Sequence, residues 1–238
     1  MSILAGKTAV VTGASRGIGA GIASSLTEQG ARVVLVARNE ERLKKQAARL
    51  KGSIIVLCDV TDPGSVERAA LTIGTGLGAP PDILVNNAGI FNVAQVDETN
   101  PTTFVDTINT NLVGPFLFVR AFLGEMKARR SGHIVTIGSV ADRTIFAGNA
   151  AYSAAKFGLR AVHEVMRAEL RGSGVRATLI SPSATDTEIW DTVNISDAGS
   201  KPAGKRAMLS PEDVVAAVLF ALIQPERVNI DELRLSRS

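Results

Sequence analysis

Tyr152 is followed four residues later by Lys156, in the run Tyr-Ser-Ala-Ala-Lys. On a helix, residues four apart lie one above the other on the same face, so a phenol and an ammonium are held side by side. A free tyrosine titrates near ~10, and a neighbouring cation favours its ionised form. The pair can therefore give and take a proton near neutrality. Tyrosine and lysine share helix faces in many proteins, so the spacing alone means little. Here it lies downstream of Ser139 and of a glycine-rich run, Thr12-Gly-Ala-Ser-Arg-Gly-Ile-Gly19. Together these residues predict an oxidoreductase that moves a hydride between a nicotinamide and a carbonyl or alcohol.

Chemistry of this kind needs elements that hold the groups in place. Short β-branched runs at Thr8 to Thr12, Arg32 to Val36, Ser53 to Cys58, Asp82 to Asn86, His133 to Ile137 and Val175 to Ile180 read as strands. Val228 to Leu235 reads as a last one. Between them, helical patterns cover Ile18 to Gln29, Glu40 to Leu50, Pro63 to Ile73, Pro101 to Ala128 and Tyr152 to Arg171. Gly74 to Pro81 reads as a loop, and Gly114-Pro115 as a kink. Ser210-Pro-Glu-Asp213 is a helix start, with a capping serine, proline in first place and acid in the first turn; Val214 to Ile223 continues it. Strands this apolar are buried on both faces. The expected fold is α/β: a single-domain, doubly wound Rossmann fold over residues 1–238, with a seven-stranded parallel sheet and helices on both faces. A substrate lid is expected at about residues 187–209, around the Ser-, Gly- and Lys-rich stretch Asn194 to Arg206; a disordered insertion is the alternative.

Gly13, Gly17 and Gly19 fall between the first strand and the first helix. Small residues let the backbone approach a pyrophosphate, and the helix N-terminus offers it free N–H groups. The spacing is GxxxGxG rather than GxGxxG. Where the second strand ends, an NAD site carries an acid for the ribose hydroxyl. This chain has Val36-Ala37-Arg38-Asn39 instead. Arg38, with Arg16 from the glycine loop, can face a 2′-phosphate, which an acid would repel. The expected cofactor is NADP(H). Asp59 and Val60 end the third strand, where an adenine would lie; Asp59 can also cap the turn before Pro63.

With these residues in hand, the chain resembles the short-chain dehydrogenase/reductase family over roughly residues 6 to 235. Its likeness is to NADP-dependent ketoreductases of the 3-oxoacyl-carrier-protein-reductase type. The matching pieces are the glycine loop, Asn86-Asn-Ala-Gly89, Asn111 in Asn-Leu-Val-Gly114, Ser139, and Tyr152 to Lys156. The resemblance implies that Tyr152 is the general acid in reduction and that Ser139 holds the substrate oxygen. It implies that Lys156 grips the nicotinamide ribose and lowers the tyrosine pKa, and that Asn111 holds a water linking Lys156 to solvent. It places Asn87, Ala88 and Gly89 on the adenosine side. It adds Ser15, Ile18, Pro182, Thr185 and Thr187 to the cofactor contacts. Ser183 stands where the family has glycine, and the C-terminus lacks the family's Gly-rich tail. The family's substrate segments are here Val140, Ala141, Arg143, Ile145, Phe91, Val93, Ile189 and Trp190, a largely apolar wall. Apolar residues on 101–128 and 152–171, including Phe116, Phe118, Phe122, Leu159 and Val162, are expected to pack across a two-fold axis, giving a homodimer or homotetramer. A rival reading, an NADP(H)-binding sensor without catalysis, needs the glycine loop but not Ser139, Tyr152 and Lys156.

The bulk composition narrows the remaining classes. Hydrophobic residues make up 45% of the 238 and aromatics 4%, so the core is aliphatic. A net charge of +3 with scattered basic residues predicts no nucleic-acid partner. Cys58 has no second cysteine to pair with, which fits a reducing compartment. His133 and His163 lack partners at ligand spacing, so no metal is expected. No apolar run reaches the ~18 residues of a membrane span, and no signal peptide is evident; a cytoplasmic protein without a membrane partner is expected.

Overall fold

The β-branched runs do become strands. In the computed structural model, which describes residues 2–193 and 208–238, seven of them form one sheet. They are β1 (Thr8–Thr12), β2 (Arg32–Ala37), β3 (Ile54–Leu57), β4 (Ile83–Asn86), β5 (Gly132–Ile137), β6 (Val175–Pro182) and β7 (Glu232–Leu235). Their order is β3-β2-β1-β4-β5-β6-β7, and every pairing is parallel. The order reverses direction between β1 and β4, which opens a crevice at the carboxyl ends of those strands, where ligands bind in such folds.

Helices α1 (Gly17–Glu28), α2 (Glu40–Ala47), α3 (Pro63–Leu77), α4 (Pro101–Ile108), α5 (Gly114–Ala128), α6 (Ala150–Glu169) and α7 (Pro211–Leu222) cover both faces. Parallel strands alternate their side chains between two apolar layers. Val11, Leu35 and Val135 face α1, α2 and α7 with Ile22, Leu43 and Val218. Val10, Val34 and Ile134 face α3, α5 and α6 with Ile73, Phe118 and Met166. This is the expected doubly wound Rossmann fold.

Several boundaries differ from the sequence reading. α3 runs on to Leu77 and stops at Gly78 in the left-handed conformation, so the expected loop at Gly74 begins four residues late. Pro101 to Ala128 is not one kinked helix: a π-helical turn, Asn109–Val113, joins α4 to α5. β7 starts at Glu232, not Val228, because Val228 closes a turn onto Pro225. Phe118, Phe122 and Leu159 are core residues, while Phe116 is 46% exposed. Most of the expected lid, 194–207, lies outside the described residues. Among those described, no helix is long and apolar enough to cross a membrane.

Candidate active site

The glycine loop is shaped by what surrounds it. Gly13 and Gly17 have φ of +67° and +53°, which β-carbon-bearing residues avoid. A Cβ on Gly13 would lie 2.9 Å from the Ala88 Cα. The loop is tied to the end of β4: Thr12 Oγ1 accepts from the Asn87 and Ala88 N–H groups at 3.0 and 3.1 Å. Asn87 Nδ2 donates to Thr12 O at 2.9 Å. Arg16 precedes α1 in an extended conformation, and no side chain caps that helix. Its first N–H groups therefore remain free for an anion.

Of the sequence-chosen cofactor residues, all but Gly19 line one cavity of about 580 Å³. Gly19 is excluded because it packs inward: a Cβ there would meet Gly13 O at 2.3 Å. Arg16, Arg38 and Arg42 are all in that lining. The sequence reading missed Arg42, although it follows Arg38 by one helical turn across the Asn39 cap. Arg38 Nη1 lies 3.7 Å from Asp59 Oδ2. Burial works against the Asp59 charge, but two hydrogen bonds from Thr61 and the Arg38 guanidinium together hold its carboxyl below the usual range.

Three strand steps of ~4.8 Å separate β2 from β5, so the lining at Ser139 lies on the order of 14 Å from that at Arg38. Ser139 begins a 3₁₀ turn, Val140–Asp142, and its Oγ accepts from Ala141 N at 3.1 Å. The Ser139 hydroxyl acts on the Tyr152 phenol and favours its ionised form. Tyr152 is in the first turn of α6, and Lys156 follows with Nζ 5.6 Å from the ring centroid. Lys156 Nζ donates to Ile137 O at 2.9 Å.

Burial pushes the Tyr152 phenol up to about 12, against the pull of the Ser139 hydroxyl. Burial also brings Lys156 down to about 8, so little cationic charge remains to ionise the phenol above that pH. Asn111, in the π-turn, donates from Nδ2 to Ile90 O at 2.9 Å and Thr107 O at 3.0 Å. Its buried Oδ1 has no partner and sits 2.6 Å from where a Cβ on Gly89 would be.

Tyr152, Phe91 and Trp190 form an edge-to-face chain, with centroids 4.8 and 5.0 Å apart. Val93, Val140, Ala141 and Ile189 complete an apolar wall. Arg143 and Ile145, expected in that wall, are not in it. Arg143 turns away to bond Asp142 and Glu232, and Ile145 lies on the outer surface. Ser183 needs no glycine: its φ is not positive, and its N–H donates to Leu235 O at 2.8 Å. Among the described residues no group of three His, Cys, Asp or Glu side chains is placed to hold a metal ion.

Comparison with known proteins agrees with this geometry. The family model described as short chain dehydrogenase matches residues 7–198. An uncharacterized oxidoreductase of Staphylococcus aureus (strain MW2) is 35% identical over 235 residues, covering 98% of each chain. Glycine betaine reductase ATRR of Emericella nidulans is 38% identical over 237 residues; the match takes in 97% of this chain but only 18% of that protein. A metagenomic short-chain oxidoreductase crystallised with NADP superposes with a TM-score of 0.83 at 33% identity, covering 99% of this chain and 100% of the other. The chain belongs to the short-chain dehydrogenase/reductase family and has its single-domain Rossmann fold.

Proposed function

We propose that residues 1–238 form one catalytic domain, an NADP(H)-dependent ketoreductase that interconverts a ketone or aldehyde with the corresponding alcohol. The observation that carries this reading is that Ser139, Tyr152 and Lys156 line the same cavity as Arg16, Arg38 and Arg42. The cavity fits a phosphorylated dinucleotide. Gly13 and Gly17 leave room that a Cβ would fill, the uncapped start of α1 suits the pyrophosphate, and three guanidiniums suit a 2′-phosphate. The metagenomic relative crystallised with NADP supports the same choice.

The bound cofactor supplies a hydride donor and acceptor. The protein's own groups do the rest. Ser139 and Tyr152 point two hydroxyls at one oxygen, where negative charge builds as a carbonyl is reduced. Tyr152 gives that oxygen its proton, and Lys156 fixes the ribose side of the cofactor while facing the phenol. Asn111, buried beside the Gly89 turn, holds through its Oδ1 the water that links Lys156 to solvent. Phe91 and Trp190 keep water from the reacting face and favour an apolar substrate. The single buried cysteine, Cys58, suits a reducing cytoplasm. Phe104, Phe116 and Phe157 stay exposed on α4, α5 and α6, which supports a homodimer or homotetramer; a monomer by light scattering at micromolar concentration would reject that assembly.

NADPH oxidation followed across ketones, aldehydes and quinones tests the reading. Turnover of at least one apolar carbonyl is expected. Tight NADPH binding with no turnover across the panel would favour a sensor instead.

A further inference from the structure

Asp142 has no exposed surface at all. An isolated buried carboxylate costs several kcal/mol, so its partners must explain it. Its Oδ2 accepts from Ser181 Oγ at 2.6 Å, and its Oδ1 accepts from Arg143 Nε at 2.7 Å. Arg143 reaches on through Nη2 to Glu232 of β7. Gly138 makes the room: a Cβ there would lie 2.9 Å from Ser181 Oγ and 3.2 Å from Asp142 Oδ2. The Asp142 N–H donates to Ser139 O at 2.9 Å. The carboxylate thus stands beside residue 138, while Lys156 Nζ is bonded to residue 137. Tyr152 faces residue 139 at the head of the same turn.

The charges do not close within the cluster that joins the 3₁₀ turn to β6 and β7. Asp142 and Glu232 carry two negative charges and Arg143 one positive. Protonated Lys156, on which the Asp142 charge acts, offsets the surplus. A carboxylate serving only to tie strands together has no need to sit at the proton-carrying pair.

We propose that Asp142 is a positioning residue for Tyr152 and Lys156: clamped by Ser181 and Arg143, its fixed negative charge holds the proton on both. Significance for catalysis rests on the ketoreductase reading; the charge effect itself does not. The electrostatic direction agrees, since Asp142 raises the proton affinity of both groups. Ser139, at the head of the 3₁₀ turn, also faces Tyr152, and Asn111 and Asn149 line the same cavity. Glu232 and Arg143 stand behind Asp142, and the Phe91 ring lies edge-to-face with Tyr152.

Tyr152 is the only tyrosine in the chain. Tyrosinate absorbance therefore reports this one phenol without substrate or cofactor, with circular dichroism confirming that the chain remains folded. Asp142→Asn keeps the shape and removes the charge. Its tyrosinate should form roughly one pH unit lower than in the wild type, and the alkaline limb of kcat/KM should move the same way. Asp142→Glu should titrate like the wild type. An unshifted phenol in folded Asp142→Asn would overturn the proposal and leave Asp142 a structural tie. Should Asp142→Asn not fold, Arg143→Gln decides: stripping the counter-ion must raise the phenol further, and an unchanged or lowered titration would overturn the proposal. A shifted titration in a protein that reduces no carbonyl would sink the enzyme reading and leave this one standing.

Discussion

A phenol largely walled in by protein atoms gives up its proton reluctantly, and Tyr152, half-buried in the cavity wall, is such a phenol. For a general acid in reduction this is serviceable, because the proton is in place throughout the neutral range. Tyr152→Phe removes the donor but leaves the ring packed against Phe91. Its kcat/KM for carbonyl reduction should fall by ~10²–10⁴-fold. NADPH affinity, read by fluorescence titration, should stay within a factor of about two, since the arginines that suit the phosphate lie elsewhere in the cavity. Most of the activity surviving would remove Tyr152 from the chemistry. Arg38 poses a different question. It is exposed and bound only loosely to Asp59, so its charge is available to a ligand. Arg38→Ala should weaken NADPH binding about tenfold, the equivalent of one charge-assisted hydrogen bond, and leave NADH nearly unchanged. Equal weakening of both would mean that Arg38 does not read the 2′-phosphate.

At the level of elements, helix starts were easier to read than helix ends. Asn39, Asp62, Asn100 and Ser210 each cap a helix through a side-chain oxygen, and each precedes its helical pattern in the sequence. The end of α3 was hidden because Gly74 and Gly76 look like turn residues. In place, Gly76 lets the helix close on Ile54, whose Cδ1 would be 3.3 Å from a Cβ there. The π-turn at Asn109 was not legible either. One extra residue per turn barely changes the apolar pattern, and only the finished backbone shows Gly114 N–H bonding to Asn109 O. Arg143 was misplaced because its partner Glu232 is distant in sequence and meets it only once β7 has joined β6. The capping box of α7 permits a test of one element's stability. Ser210 and Asp213 bond each other's backbone, and α7 packs on α1, the helix that begins at the glycine loop. Ser210→Ala should cost ~0.5–2 kcal/mol in urea unfolding. The KM for NADPH should change little, because the bonds of the box run only within the first turn of α7. An unchanged unfolding midpoint would show that the box carries no net stability.

Over the whole molecule, the alternation of apolar strands with amphipathic helices was enough to give the strand count and the parallel sheet, since both faces need cover. It did not reveal how the two histidines would be housed. His133 bonds Thr178 Oγ1 through Nε2 at 2.8 Å, and His163 bonds Thr136 Oγ1 through Nδ1 at 3.1 Å. Residues 133 and 136 point to opposite faces of β5, so each apolar layer holds one imidazole. Burial brings His133 down to about 3, helped by Arg176, and His163 down to about 4, helped by Arg167. Unfolded, each would titrate near ~6.5. Above that value neither state takes the proton, and the folded protein has its full stability. Below it the unfolded chain binds protons that the folded chain refuses, so stability falls as pH falls, until the folded values are reached. The slope should approach roughly 1.4 kcal/mol per pH unit for each histidine. Urea unfolding should therefore be nearly flat between about pH 7.5 and 6.5 and fall steeply from there towards pH 4.5. His163→Asn retains a polar partner for Thr136 and removes one titrating ring, and should roughly halve that slope. Stability that stayed level down to pH 4.5 would mean that both rings accept protons inside the sheet without penalty, contrary to their burial among aliphatic side chains.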